Sequence, residues 1–263
     1  MLYRGMLQLT DTELDWICDQ IPDARRSPKG GRPSADKRKM VQGIFWILDN
    51  GAKWKDLPRE FGPKSTVHDW FHRWAEAGVF ESILRKAGRC VEQRGGFKLY
   101  ECFVDATFSK ARQGGDGIGL TRIGQGVKIM LLVDAKGLPV AAYSTEASPH
   151  ESHLVQGLFD FMVSEAEPER IIGDKAYDSD RLDAELADRG IEMIAPHRDN
   201  RQKASTQDGR PLRRFKRRWT VERSIGWLQN FRRLCIRWEK STCLFQALLH
   251  LSCSLLLLKT VFG

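Results

Sequence analysis

The 263-residue sequence predicts an α/β domain preceded by an all-α module, and three observations carry that prediction. Apolar side chains recur at helical spacing up to about residue 75. From residue 97 they gather into short β-rich runs, and after residue 150 helical and extended patterns alternate. Hydrophobic residues at 41% and charged residues at 29% give an ordinary globular balance, which argues against wholesale disorder.

Thr10 and Glu13 have capping-box spacing ahead of a helix carrying Leu14, Trp16 and Ile17. Residues 22 to 36, rich in Pro, Gly, Arg and Ser, read as a flexible basic linker. Val41, Ile44, Phe45 and Leu48 form one face of the next helix, and Gly51 stops it. A helical turn from about Asp56 to Phe61 and the turn Gly62-Pro63-Lys64 lead to a third helix. Ser65 is positioned to cap it, and Val67, Trp70, Phe71 and Trp74 point inward. Helix, short helix, turn, helix is the outline of a helix-turn-helix over about residues 37 to 77, inside an N-terminal module of residues 1 to 96. On that reading Lys64, Thr66, His68 and Arg73 face DNA; the alternative is a small helical bundle with a solvated polar face.

FKLYECFVDATF, VKIMLLVD and LPVAAYS read as three strands of a meander, with Ala135-Lys136-Gly137 turning between the last two. Ser148, Pro149 and Glu151 are spaced as N-cap, first and third residues of a helix bearing Leu154, Leu158, Phe161 and Met162. ERIIGD is a short buried strand, SDRLDAELADRG a helix and IEMIAP a last strand. This order resembles the ribonuclease H arrangement, a mixed-sheet domain over residues 97 to 263. Near the C-terminus Leu244, Leu248, Leu251, Leu255 and Leu258 recur at steps of four and three among Gln246, His250 and Lys259. That pattern fits a buried helix over about residues 243 to 262 better than a lipid span, so no membrane partner is expected.

The formal charge of +8 is uneven: residues 210 to 240 hold eleven Lys/Arg against Glu222 and Glu239, which is +9 and leaves −1 for the remainder. A field so localised, with aromatics interleaved, points to nucleic acid ahead of membrane as the polyanion partner. The six cysteines include no CxxC pair and read as reduced thiols of a cytosolic protein, and the N-terminus lacks the apolar core of a secretory signal.

Three carboxylates stand out. Asp105 follows the apolar run Cys102-Phe103-Val104 inside a strand, where Asp is disfavoured. Asp174 closes IIGD, and Glu222 is the one acid within RRFKRRWTVER. Each alone has an ordinary reading: a turn or cap for the aspartates, a surface pair with Arg218 for Glu222. In a ribonuclease H-like sheet, however, the first and fourth strands are central neighbours and a later helix crosses them, so all three converge. Three carboxylates in one pocket repel unless a cation holds them, and hard oxygen donors point to Mg²⁺ or Mn²⁺. Two such ions about 3.5 to 4 Å apart serve in-line displacement at phosphorus. His150, Glu151 and His153 read as a helix start, and Asp134 as a hairpin-turn residue. Lys175, beside Asp174, is placed to meet DNA near the scissile bond, and Arg213, Arg214, Arg217, Arg218 and Arg223 to meet phosphates.

VDATF, GDKAYDSD and RRFKRRWTVERSIGWLQNFRRL, in that order, resemble the catalytic motifs of bacterial insertion-sequence transposases with a DDE triad, in particular the family named after insertion sequence five. The family signature of Tyr, Arg, Glu and Lys falls on Phe215, Arg218, Glu222 and Gln229, with Phe in place of Tyr and Gln in place of Lys. LTDTELDWI, GRPSADKRKMVQGIFWILDNGAKWKDLP and STVHDWFHRW look like the family's DNA-binding module. The resemblance implies that Asp105, Asp174 and Glu222 bind two Mg²⁺ or Mn²⁺ ions. It further implies that water cuts double-stranded DNA at the element's terminal inverted repeats and that the freed 3′-hydroxyl attacks target DNA. A homo-oligomer, at least a dimer, would assemble both ends in the bacterial cytoplasm, at the nucleoid. The alternatives are a DNA-binding regulator without chemistry and a nuclease without strand transfer.

Overall fold

The computed structural model describes residues 9–23, 35–121, 123–204 and 211–263; most of the expected basic linker, and Arg210, lie outside the described residues. Helix α1 (Asp11–Gln20) opens with the capping box: the Thr10 hydroxyl accepts from the Glu13 amide while the Glu13 carboxylate accepts from the Thr10 amide. Asp36 caps α2 (Lys37–Asn50), and Gly51, at φ +64°, closes it in the left-handed conformation that glycine tolerates. Two 3₁₀ turns, Trp54–Asp56 and Arg59–Phe61, stand where one helical turn is expected. Helix α3 (Lys64–Glu76) begins directly after Pro63, so Ser65 lies inside its first turn and does not cap it. The amphipathic α4 (Val79–Gln93), not among the expected helices, follows at once and buries Phe80, Ile83, Leu84 and Val91.

The sheet contains β1 (Cys102–Ala111), β2 (Gly119–Thr121), β3 (Gly124–Val133), β4 (Pro139–Glu146), β5 (Arg170–Ile172), β6 (Glu192–Ile194) and β7 (Ile236–Arg237). Its main order is β4-β3-β1-β5-β6, with β3 antiparallel to β4 and β1, and β5 parallel to β1 and β6. Three antiparallel strands continued by two parallel ones make the ribonuclease H-like topology; β2 and β7 extend the free ends of β3 and β1. The helix expected after Ser148 is shorter than its pattern suggests: a 3₁₀ turn, Glu151–His153, precedes α5 (Val155–Phe159). The His150 side chain accepts from the Ser152 amide as its cap, whereas the Ser148 hydroxyl donates to Glu146.

Helices α6 (Asp180–Ala187), α7 (Trp219–Gln229), α8 (Arg232–Cys235) and α9 (Thr242–Phe262) complete the chain. β3 shows why both sheet faces are covered: Val127, Ile129, Leu131 and Val133 join the core built by α7, α9 and the N-terminal helices, while Met130 and Leu132 join the core against α5 and α6. Helix α9 is long and apolar enough to cross a membrane, yet most of it is buried within the protein, against β4 on one side and α1, α3 and α4 on the other. The N-terminal helices and one face of the sheet therefore share a single apolar core. Asp134 is structural: its buried carboxylate accepts from the amides of Lys98, Lys136 and Leu138.

Candidate active site

Asp105 sits on β1 just beyond Cys102 and Phe103, the two residues that pair with β5. β5 ends at Ile172, and Asp174 caps a 3₁₀ turn, Lys175–Tyr177, by accepting from the Ala176 amide at 2.8 Å. Gly173 permits this turn, because a Cβ there would lie 2.5 Å from the Tyr177 ring. Helix α7 packs across β1 and β3 through Val221, Ile225 and Leu228, which leaves Arg218, Glu222 and Gln229 on one flank, facing the sheet centre. Gln229 donates to Thr107 on β1 at 3.0 Å, so the residue standing in place of the family's Lys is anchored to the strand that carries Asp105. Phe215, in place of Tyr, lies under the Arg218 guanidinium at 5.9 Å.

All three expected carboxylates meet at that guanidinium. Arg218 Nη1 donates to Asp105 Oδ2 at 3.0 Å and lies 3.9 Å from Asp174 Oδ2, and Nη2 donates to Glu222 Oε1 at 2.7 Å. Side-chain exposure rises from 15% at Asp105 through 36% at Asp174 to 53% at Glu222, so the group runs from floor to rim. Burial pushes the Asp105 carboxyl up to about 6, against the pull of Arg218 and the Ala106 amide, with the charges of Asp174 and Glu151 adding to the rise. One guanidinium does not offset the charge gathered around it. Among the described residues, no three acidic, imidazole or thiol side chains stand close enough to share one metal ion. The donor set itself, all carboxylate oxygen, has the chemistry of a Mg²⁺ or Mn²⁺ site.

The cations expected on phosphates divide into two groups. Arg213 is exposed. Arg214 donates to Glu101 at 2.7 Å and Arg217 donates to its other oxygen, and Glu101 is fully buried. Arg223 lies 4.8 Å from both the Trp219 and Trp227 rings and donates to the Lys136 carbonyl, while Lys175 pairs with Asp199 at 2.6 Å. On α3, Lys64 and Arg73 are exposed, Arg73 over the Trp70 ring, and Thr66 is half-buried. His68 is turned against Trp54 and lies 3.1 Å from His72, ring nitrogen to ring nitrogen. Glu101 has no local sequence signal, because its partners lie 113 and 116 residues away.

A ribonuclease H-like sheet with an acidic cluster at its centre defines a class of phosphoryl-transfer domains. Residues 97–257 match the family model described as the transposase DDE domain, and residues 9–84 match that of the IS4/5-family transposases. The chain belongs to the transposase DDE domain family. It is 33% identical over 144 residues to a protein of Burkholderia cepacia assigned as the transposase of insertion sequence element IS402, a match covering 52% of this chain and 64% of that protein. A Brucella ovis protein assigned likewise for IS6501 is 30% identical over 138 residues, covering 50% of this chain and 98% of that protein. Among solved structures, the piggyBac transposase synaptic complex with hairpin DNA aligns with 95% of this chain and 72% of its own at 11% identity and a TM-score of 0.49, a likeness too loose to bear on function.

Proposed function

We propose that the protein cleaves double-stranded DNA at the ends of an insertion sequence and transfers the freed 3′-hydroxyl strand into target DNA. The observation that carries this reading is the convergence of Asp105, Asp174 and Glu222 on Arg218, in a chain of this family. Asp105, Asp174 and Glu222 are the groups that would hold Mg²⁺ or Mn²⁺. Two such ions, when bound, activate an attacking oxygen and stabilise the leaving oxygen. The chain's own part is to fix these acids within β1, just past the end of β5 and on α7, and to place Arg218 where it can turn from carboxylate to phosphate. Arg213, Arg214, Arg217 and Lys175 would supply further positive charge for the DNA backbone, and phosphate contacts of this kind are indifferent to base sequence.

Sequence selection belongs, on this reading, to residues 1–96, with the helix-turn-helix over about 37–77 presenting Lys64, Thr66 and Arg73, and chemistry to residues 97–263. Each element end requires one site, so the working assembly is at least a dimer. The test incubates the full chain with Mg²⁺, duplexes carrying the inverted repeats that flank the gene, and a target plasmid. Cut and joined products are expected; cutting alone would make the protein a nuclease, and binding alone a regulator. Changing Lys64 and Arg73 together to Gln should reduce the preference for end DNA over scrambled DNA. If the unaltered protein shows no such preference, the N-terminal module is a nonspecific anchor or an assembly surface. The full chain is the right material, because α9 completes the core of that module.

A further inference from the structure

A fourth acid, Glu151, lies near enough to the same centre for its charge to act on Asp105 and Asp174. The 3₁₀ turn it opens packs on the turn that follows Asp174. Arg198 staples the two: its Nη2 lies 2.8 Å from His150 Nε2 and donates to the Ala176 carbonyl at 3.0 Å, and its Nε donates to the Lys175 carbonyl at 3.0 Å. Lys128, on β3, supports the turn from below, donating to the Pro149 carbonyl at 2.8 Å with its ammonium 3.6 Å from the Glu151 carboxylate. The Glu151 side chain is 25% exposed, far less than Glu222, although it stands at the start of a surface turn.

A buried hydroxyl stands among these acids. Tyr177 is fully buried, its hydroxyl makes no hydrogen bond of standard geometry, and its one loose partner is the Glu151 carboxylate, with the charges of Asp105 and Asp174 also felt there. A buried hydroxyl normally has a well-formed partner, so a loose contact to Glu151 beside two further carboxylates leaves a place for a ligand that completes the set. A solvated divalent cation would do so, with bound waters to donate to carboxylate and phenol oxygens together.

We propose that Glu151 is a fourth acid of the reaction centre, a positioning residue that with Tyr177 holds the water shell of the metal on the Asp174 side. The inference rests on the assignment of Asp105, Asp174 and Glu222 as metal ligands. Lys128 holds the Glu151 carboxylate in reach, and the Arg198 staple fixes its turn relative to Asp174. Groups that orient metal ligands from outside typically change metal affinity about 10- to 100-fold when removed.

The test is a titration of the full chain, without DNA, by Mn²⁺, with free Mn²⁺ read by electron paramagnetic resonance. Wild type, Glu151→Gln and Asp105→Asn are compared, each first checked for a native circular dichroism spectrum. Glu151→Gln should bind Mn²⁺ about 10- to 100-fold more weakly, and Asp105→Asn more weakly still. Wild-type affinity in Glu151→Gln alongside a loss in Asp105→Asn overturns the role of Glu151 and leaves the three-ligand site intact. Unchanged affinity in Asp105→Asn overturns both. Should Glu151→Gln fail to fold, Fe²⁺ with peroxide and ascorbate is applied to the wild-type protein. Hydroxyl radicals generated at the metal should cut the backbone near residue 151 as well as near 105 and 174, and no cut near 151 overturns the proposal.

Discussion

Arg218 and Arg233 belong to the same basic stretch and meet opposite circumstances. Arg233 is buried, donates from Nε and Nη2 to Glu239 at 2.9 and 2.7 Å, and spends Nη1 on the Ala52 carbonyl at 2.6 Å. Arg237 beside it is also buried, donates to the carbonyls of Glu239, Asp116 and Lys240, lies 3.5 Å from the Asp116 carboxylate and leaves only Nη1 without a partner. At that joint each charge has its counterpart, and backbone oxygens take up most of the remaining donors. Arg218 instead faces three carboxylates with one guanidinium, and Asp105 is pushed up to about 6. Matched buried charge adds to the shared apolar core in tying the N-terminal helices to the DDE domain. Unmatched acid marks the place where, on the proposed reading, a cation and a substrate complete the structure.

The strongest attempt to break this contrast is Asp105→Asn. Cleavage of end DNA should fall to background in a gel assay while DNA binding persists, because a proposed metal ligand is removed without any loss of positive charge. Full cleavage by this variant would remove Asp105 from the reaction. On the other side, Arg233→Met leaves Glu239 buried without its partner and should cost about 3 to 5 kcal/mol in urea unfolding. A cost below about 1 kcal/mol, the range of surface pairs, would show that the joint is not a matched network.

Much of the fold was legible because it rests on local signals. The capping box at Thr10, the stop at Gly51, the strand runs and the leucine steps of α9 act over a few residues. The three carboxylates were legible because an acid in an apolar strand, an acid after a buried strand and a lone acid among arginines each break a local pattern. The length of the helix after Ser148 was not, since its apolar residues serve turns as well as a helix. Nor were the bonds of Glu101 to Arg214 and Arg217, or the Arg198 staple, legible: they join residues far apart in sequence, and composition carries no sign of which cation an acid meets. Glu151 had a sufficient local explanation as a helix start, and only its packing against the Asp174 turn brings it to the site.

A smaller effect sharpens the contrast through pH. In chelator, Asp105 binds its proton up to about pH 6 when folded but only to about 3.8 when unfolded. The folded state therefore holds more protons between these values, and its stability falls as pH rises through that window. The shift corresponds to at most about 3 kcal/mol at neutral pH, at about 1.4 kcal/mol per pH unit. Metal-free Asp105→Asn should accordingly be more stable than wild type at pH 7.5, with the advantage gone near pH 4. A variant less stable at both values would mean that the Arg218 contact outweighs the burial of the charge.

The smallest effect concerns the outer cations. Arg213 is exposed, whereas Arg214 and Arg217 divide their donors between solvent and the buried Glu101. Each side chain neutralising a duplex phosphate contributes about 0.9 to the slope of log affinity against log salt. Arg213→Gln should therefore flatten the slope by about that amount and leave the urea midpoint unchanged, as expected of a cation that acts on DNA alone. Replacing Arg213, Arg214 and Arg217 together should flatten it by up to about three units, but should also lower stability, because the buried Glu101 carboxyl then keeps neither of its guanidinium partners. The two readouts separate the roles: slope reports phosphate contact, and unfolding reports the hold on Glu101. If the triple variant loses stability and its salt slope does not move, the cluster belongs with Arg233 as structural charge, and the path of the DNA must lie elsewhere on the protein.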